Sequence, residues 1–408
     1  MMMCSKLSLL LVLGNCAMLL LVQCEAAAPL KGGLEKIFSP FHSKKKGKVS
    51  ESKVKDCVAL CAVTPTTGEL AKDTFQRRAC GPKDVYIEIS YCGMCYSDYH
   101  TVHGEWGWDG AHPVVPGHEI TGVVAEVGSE VRRFRAGDRV GVGCFVGSCS
   151  ACPSCKAGDI QYCDEGAMQT YNWPHPTDTV NPITLGGYSK SITVDQDFVL
   201  KIPKNMPMDA GAPLLCAGIT MWSPLVHFEG AQKGGKKVGI VGFGGLGHMG
   251  VKLAKAMGNE VFVFSTSPRK KADIEALGAT FVQSTDEEAM RALGNTLDLI
   301  IDTANVPHLL AGYLATLKAQ RTFCMVGADT SNFTDVNAFS VLMRRISIGG
   351  SLVGGIKETQ DMLNFCAKHG ITADIELIGA DEANSAMKAL KANAGASRRF
   401  VLDIQNTL

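Results

Sequence analysis

The chain reads as an α/β protein in which an irregular β-rich domain precedes a doubly wound parallel sheet. Three observations predict this. Short apolar strands broken by glycines fill residues 54–203, apolar strands alternate with helix-length segments from Pro207 onward, and Gly242, Gly244 and Gly247 form G-x-G-x-x-G where one such strand meets one such helix. At 408 residues and 46% hydrophobic, the chain can bury about two separate cores.

In the first domain, "DVYIEISYC", "EITGVVAEVG", "GDRVGVGCF" and "GGYSKSITVD" carry strand composition between glycine breaks, predicting a mostly antiparallel, barrel-like arrangement. In the second, "KVGIVGFG" and "EVFVFSTS" are strands, followed by helices at "LGHMGVKLAKAMG" and "PRKKADIEALG". Pro268 suits a first helical turn. The rhythm continues through the strand "LDLIIDT", the helix "PHLLAGYLATLK" and the strands "RTFCMVG" and "SIGGSLVGG". Repeated units of this kind build a parallel sheet covered on both faces. A tail of "KETQDMLNFCAKHG", "ADIELI", another helix and "RRFVLDI" is expected to return to the first domain. The division is residues 1–28 as a targeting segment, 29–53 as a basic linker, 54–205 with 356–408 as the β-rich domain, and 206–355 as the dinucleotide domain.

The N-terminus has the arrangement of a secretory signal: Lys6, an apolar run over residues 7–22, then small residues at 26–28. The run falls short of the roughly 20 residues of a membrane span, and Gly14 and Asn15 interrupt it. The expected outcome is cleavage on the way to the secretory pathway or an organelle. The alternatives are a membrane anchor, with the lysines of residues 31–55 on the cytosolic side, or a cytoplasmic chain. Thiolate metal sites weigh against an oxidising lumen.

Forty basic and forty acidic residues leave a formal net charge of zero, which argues against a nucleic-acid partner, since that would need a basic face. The dense basic run at residues 44–48 lies in the linker and reads as solvated. Sixteen cysteines are too thinly spread for a disulfide scaffold. Cys149, Cys152, Cys155 and Cys163 are spaced C-x2-C-x2-C-x7-C, so their thiolates can converge on one tetrahedral ion in a closed structural shell. Cys95, His118 and Cys216 come from distant segments and leave a fourth position open, where a catalytic zinc acts. Cys144, Cys324 and Cys366 read as inert core cysteines. His103, His112, His175, His227, His248, His308 and His369 carry no assigned role.

The glycine motif, with Gly245 and Leu246 inside it, predicts a dinucleotide site: the first glycine permits the tight turn, the second admits the pyrophosphate and the third lets helix pack on strand. Free N–H groups at the helix start favour the anion. The second strand ends in Ser265, Thr266 and Ser267, followed by Arg269 and Lys270, where an NAD site carries an acid. Hydroxyls and cations suit a 2′-phosphate, so NADP is expected. Glu260, the nearest acid, opens that strand instead.

From "YCGMCYSDYH", "VPGHEITGVV", "GDRVGVGCFVGSC", "APLLCAGIT", "GFGGLGHMG" and "RRFVLDI", residues 55–405 resemble the zinc-dependent medium-chain alcohol dehydrogenases, specifically their NADP-using cinnamyl-alcohol-dehydrogenase-like branch. The "EWG" stretch at residues 105–107 is closer to the broad-range aldehyde reductases of that branch. The resemblance implies a GroES-like catalytic domain, a Rossmann domain and two zinc ions per chain. It assigns Cys95, His118 and Cys216 to the catalytic zinc and the four-cysteine set to the structural one. It also implies that Ser97 contacts the substrate oxygen and that His100 passes the proton to solvent. By the same resemblance Asp98 is expected to orient a zinc ligand, and Glu119 to be an outer group or a transient ligand. Tyr96, Trp222 and Arg398 depart from the pattern, at places where histidine, a smaller residue or tyrosine, and an aromatic respectively are usual.

The expected activity is hydride transfer between NADP(H) and a primary alcohol or aldehyde, with Trp106, Trp108, Met168 and Trp222 as candidate walls of an apolar pocket. A polyol dehydrogenase and a non-catalytic NADPH-binding sensor are the alternatives. Retention of Cys95, His118, Cys216 and Ser97 together weighs against the sensor. The strand "SIGGSLVGG" resembles the family's dimer edge, so a homodimer is expected.

Overall fold

The computed structural model describes residues 53–64, 66–106, 113–328, 335–392 and 398–408. The expectations for residues 1–52, Trp108 and His112 lie outside them. The chain begins with a hairpin that sequence reasoning left unassigned, β1 (Lys55–Ala62) and β2 (Leu70–Arg77), paired antiparallel from Lys55 against Arg77 to Ala62 against Leu70. β3 (Asp84–Gly93) and β4 (Ile120–Val127) form the centre of a seven-stranded sheet. Val85, Ile87 and Ile89 alternate into its core, as a half-buried strand requires. β5 (Arg139–Val142) extends the sheet, a small ladder joins β6 (Phe145–Gly147) to β7 (Met168–Gln169), β8 (Ser191–Asp195) pairs with β3, and β9 (Leu200–Lys201) closes the edge.

The second sheet holds six parallel strands among the described residues: β10 (Lys237–Val241), β11 (Glu260–Ser265), β12 (Thr280–Gln283), β13 (Leu297–Asp302), β14 (Leu317–Met325) and β15 (Ser347–Gly350). Their spatial order, β12-β11-β10-β13-β14-β15, is that of a doubly wound dinucleotide-binding sheet, with its crossover switch between β10 and β13. β10 and β13 are almost wholly buried, which explains their unbroken apolar runs. The predicted helix over residues 307–318 is shorter than expected, covering Ala311–Thr316. Leu317 already belongs to β14, because its backbone pairs with Leu297.

The tail crosses back. β16 (Ile375–Ile378) pairs with β17 (Arg399–Asp403), and β17 pairs antiparallel with β3 through Val401 against Gly93. This return carries Arg399 to the end of β3, where the cleft between the two sheets opens. Among the described residues, no helix is long and apolar enough to cross a membrane.

Candidate active site

Three short segments converge at one end of the first sheet. Cys95 follows β3 and directly precedes helix α1 (Tyr96–Val102), while His118 lies just before β4. Pairing of Cys92 with Ile120 sets those two segments side by side. Cys216 arrives from a buried turn immediately before α2 (Ala217–His227). The Cys95 and Cys216 sulfurs are 3.9 Å apart, and donor atoms of Cys95, His118, Glu119 and Cys216 all lie within 4.8 Å of one another. Sulfurs bound tetrahedrally to zinc at about 2.3 Å sit about 3.8 Å apart, so this donor set fits zinc. A hydrogen bond from Cys216 and the neighbouring His118 pull the Cys95 thiol well below its ordinary range against the effect of burial, while contacts with Cys144 and Cys95 push Cys216 well above its own, so without a cation these two buried sulfurs favour one thiolate.

Asp98, in the first turn of α1, is fully buried and aimed at His118. Its Oδ1 lies 3.3 Å from His118 Nδ1, which leaves Nε2 of the ring for a metal. Glu119 is also fully buried; one oxygen pairs with Arg399 and the other has no hydrogen-bond partner in the protein. Burial, opposed by Arg399, pushes its pKa up to about 8. Glu119 thus stands behind the ligands, within the donor cluster and tied to an arginine.

The second cluster is a separate lobe. Cys149, Cys152, Cys155 and Cys163 bring their sulfurs within 4.8 Å of one another, with Cys149 and Cys155 3.9 Å apart. Backbone N–H groups point at the sulfurs: Cys152 N donates to Cys149 Sγ at 3.3 Å, Cys155 N to Cys152 Sγ at 3.4 Å, and Cys149 N to Cys163 Sγ at 3.4 Å. Such bonds, the one from Asp164 foremost, bring the Cys152 pKa down to about 7. The four-sulfur set matches a closed zinc shell in both number and spacing.

The cleft beside the first cluster has a volume of about 700 Å³. Ser97 and His100 line it, and Ser97 Oγ lies 3.5 Å from Cys95 Sγ. His100 is held on three sides: Nδ1 is 2.7 Å from Glu105 Oε2, the Trp106 ring stacks at 4.7 Å, and the Tyr96 ring meets it edge-on at 4.6 Å. Its Nε2 is buried without a partner in the protein. Glu105 was quoted within "EWG" but given no role; the signal was a carboxylate five residues after the histidine, reached once the helix ends.

On the dinucleotide side, Gly242 adopts φ +88°, a left-handed turn that favours glycine, and α3 (Gly245–Ala256) starts immediately after Gly244. A Cβ on Gly247 would stand 2.2 Å from the Gly242 carbonyl oxygen, which is why helix and strand pack so closely there. Gly242, Gly244, Gly245 and Leu246 line the cleft, as do Ser265, Thr266 and Lys270 at the end of β11. Burial lowers the Lys270 pKa. Ser267 and Arg269 lie outside the lining; Ser267 instead donates its N–H to Ser265 Oγ. Arg399, quoted within a motif but given no role, is the missed residue on this side. Its side chain spans from Glu119 to Gly245, and its buried Nε has no partner in the protein.

Several expectations need correction. Trp106 lines the cleft, but Trp222 turns away and packs on Phe365 at 5.0 Å, because that face of α2 meets the helix at Ile356–His369. Met168 is directed at Gly147 across the small ladder, leaving its neighbour Gln169 at the cleft. Cys144 is a half-buried residue of the cleft wall and not a core cysteine, and His308 also lines the cleft, 3.0 Å from Asp302.

A doubly wound sheet with a glycine turn facing two thiolates, a histidine and a serine defines a zinc-binding dehydrogenase. The family models agree: residues 81–204 match the alcohol dehydrogenase GroES-like domain and residues 245–368 the zinc-binding dehydrogenase model. Over 349 residues, covering 85% of this chain, it is 47% identical to a mannitol dehydrogenase of Apium graveolens, spanning 93% of that protein. It is 46% identical to cinnamyl alcohol dehydrogenase 8 of Arabidopsis thaliana, spanning 95%. Among solved structures, a cinnamyl alcohol dehydrogenase from Sorghum bicolor superposes with a TM-score of 0.82 at 40% identity, covering 87% of this chain and 99% of that one. One from Helicobacter pylori, complexed with NADP(H), superposes with a TM-score of 0.80 at 38% identity, covering 87% and 100%. The chain belongs to the zinc-dependent medium-chain alcohol dehydrogenases, in their cinnamyl-alcohol-dehydrogenase-like branch. It is an oxidoreductase acting on the alcohol and aldehyde pair, with zinc and NADP(H) as cofactors.

Proposed function

We propose that this enzyme works chiefly as an NADPH-dependent reductase of aromatic and medium-length apolar aldehydes to primary alcohols. The observation that carries the reading is the position of Ser97, whose hydroxyl sits beside Cys95 Sγ and opens into the same cleft as His100. When bound, zinc supplies a Lewis acid for the substrate oxygen and the dinucleotide supplies the hydride. Cys95, His118 and Cys216 would hold the metal, and Ser97 Oγ holds the proton destined for the substrate oxygen. His100 is the reservoir from which that proton is renewed: Glu105 fixes Nδ1, so the buried Nε2 is the exchanging position. Thr266 and Lys270 give the 2′-phosphate a hydroxyl and a cation.

Trp106, Tyr171, Phe145 and Leu352 supply apolar and aromatic wall, which supports the aldehyde class. The celery relative's name favours polyol oxidation as a second reading. The exposed edge of β15 supports a homodimer, and the signal-like residues 1–28 support delivery to the secretory pathway or an organelle. NADPH oxidation against cinnamaldehyde, benzaldehyde and aliphatic aldehydes, before and after chelation, tests the activity. NADP-dependent oxidation of mannitol in preference to any of the matching alcohols would favour the polyol reading.

A further inference from the structure

His118 is positioned by Asp98, and Asp98 has no exposure to solvent. A buried carboxylate holds one orientation only if its oxygens are filled by donors. Two of its donors are the backbone N–H groups of Cys95 on Oδ2, at 2.9 Å, and of Gly117 on Oδ1, at 3.1 Å; both belong to the ligand segments themselves. A donor from elsewhere is Tyr188, whose hydroxyl meets Oδ2 at 3.0 Å, beside Tyr171, which also hydrogen-bonds Asp98 and stacks on the His118 ring at 5.6 Å. Tyr188 is wholly buried, and burial raises its pKa well above the ordinary value, so the hydroxyl keeps its proton and donates.

Tyr188 also touches the other side of the same device. A Cβ on Gly117 would stand 2.6 Å from the Tyr188 ring, so ring and backbone are in direct contact one residue before His118. The two segments are cross-bonded: Tyr188 N donates to the Pro116 carbonyl, and Gly187 N to that of Gly117, each at 2.9 Å. The tyrosine segment is in turn fixed by Arg77 of β2, a guanidinium almost fully buried. Its Nε donates to Ser191 O at 2.8 Å, Nη1 to Leu185 O at 2.8 Å, and Nη2 to Gly186 O at 3.0 Å and Ser189 Oγ at 2.9 Å. None of these acceptors is a carboxylate. A buried cation donating to four uncharged oxygens of one loop and the first residue of β8 holds that segment's shape.

We propose that Tyr188 is a positioning residue of the catalytic metal site, anchored by Arg77 and acting through Asp98 on the orientation of His118. The inference rests on the reading of Cys95, His118 and Cys216 as a zinc site. Outer partners of metal-bound histidines typically cost about 10- to 100-fold in metal affinity when removed. Tyr188→Phe keeps the ring against Gly117 and deletes only the donated hydrogen bond.

The test is zinc transfer from the holoenzyme to a competing chelator, followed by colour change and by metal analysis of the recovered protein. Wild type should hold two zinc ions, one released more readily. Tyr188→Phe, which removes one donor to that carboxylate and leaves the carboxylate itself, should release that ion up to about 10-fold more readily, keep the four-thiolate zinc, and unfold at nearly the wild-type temperature. Arg77→Lys, which retains the charge but loses the forked reach, should shift the same ion in the same direction and serves as the readout if Tyr188→Phe does not fold. Unchanged zinc affinity in either folded variant, or equal loosening of both ions, overturns the inference. A wild-type enzyme that holds only the four-thiolate zinc refutes the underlying site reading instead.

Discussion

At the scale of single residues, Ser97 bears the sharpest consequence. Its hydroxyl lies 3.5 Å from a metal-ligand sulfur, and a neutral serine hydroxyl is not among the usual zinc ligands. Ser97→Ala should therefore lower kcat about a hundredfold or more while leaving both zinc ions in place; metal analysis alongside stopped-time assays separates the two effects, and an unchanged kcat would remove serine from the proton path. A second residue links protonation to folding. His248 is 1% exposed, its Nε2 is 2.7 Å from Asp374 Oδ2, and burial followed by the Lys252 charge pushes its pKa from 6.5 down to about 4. Between those values the unfolded chain binds the proton and the folded chain does not. Stability is thus fully present above pH 6.5 and is lost as pH falls towards 4, by on the order of 3 kcal/mol. In His248→Gln that loss disappears, so thermal melts at pH 7 and pH 4.5 should show wild type losing more than the variant. The residues legible in advance were those whose neighbours in sequence are also their chemistry, such as Cys95 with Ser97 and Asp98. Arg399 was not, because the Glu119 and Gly245 it joins lie 280 and 154 positions away in the chain and only β17 brings them together.

At the scale of elements, the glycine turn and the thiolate lobe make opposite kinds of prediction. A methyl group at position 247 meets the Gly242 carbonyl at 2.2 Å, and the turn and helix must separate to admit it. Because the pyrophosphate site is that turn and helix start, Gly247→Ala should weaken NADPH binding about a hundredfold, measured by fluorescence titration, with zinc content unchanged. The lobe should answer in stability first. Cys152→Ser removes one donor of a closed four-sulfur shell whose binding free energy is part of folding, so the expected result is loss of one zinc and a markedly lower Tm. Cys144, Phe145 and Val353 pack with that lobe and also line the cleft, so a softened wall should accompany it. Element type was legible wherever periodicity was strong, as in β10 and α3. The β1–β2 hairpin was missed because β2 exposes most of its residues and shows no apolar period, and the helix over residues 307–318 was overextended because pairing of Leu317 with Leu297 overrides local helix propensity.

At the scale of the whole molecule, the two-sheet plan followed from rhythm and motif and the return of the tail was an expectation that periodicity does not carry, whereas how the chain meets a second copy depends on surfaces no periodicity describes. Among the described residues, β15 ends the parallel sheet and pairs only with β14, which leaves its other edge without a strand partner. The adjoining segments carry exposed apolar side chains, Phe339, Leu342 and Met343 before the strand and Leu352 after it, each at least half exposed. A bare strand edge flanked by apolar groups invites strand pairing, and twofold pairing of identical edges satisfies it with a closed interface. The proposed dimer joins β15 to its symmetry mate, extending one sheet through both chains. Light scattering on protein beginning at Val54 should give twice the single-chain mass at micromolar concentration. Ile348→Pro would remove one backbone donor from β15, and Met343→Asp would set like charges near the axis; either change should shift the mass towards one chain. A single-chain mass for the unmodified protein would show that the edge is protected in some other way and would defeat the dimer.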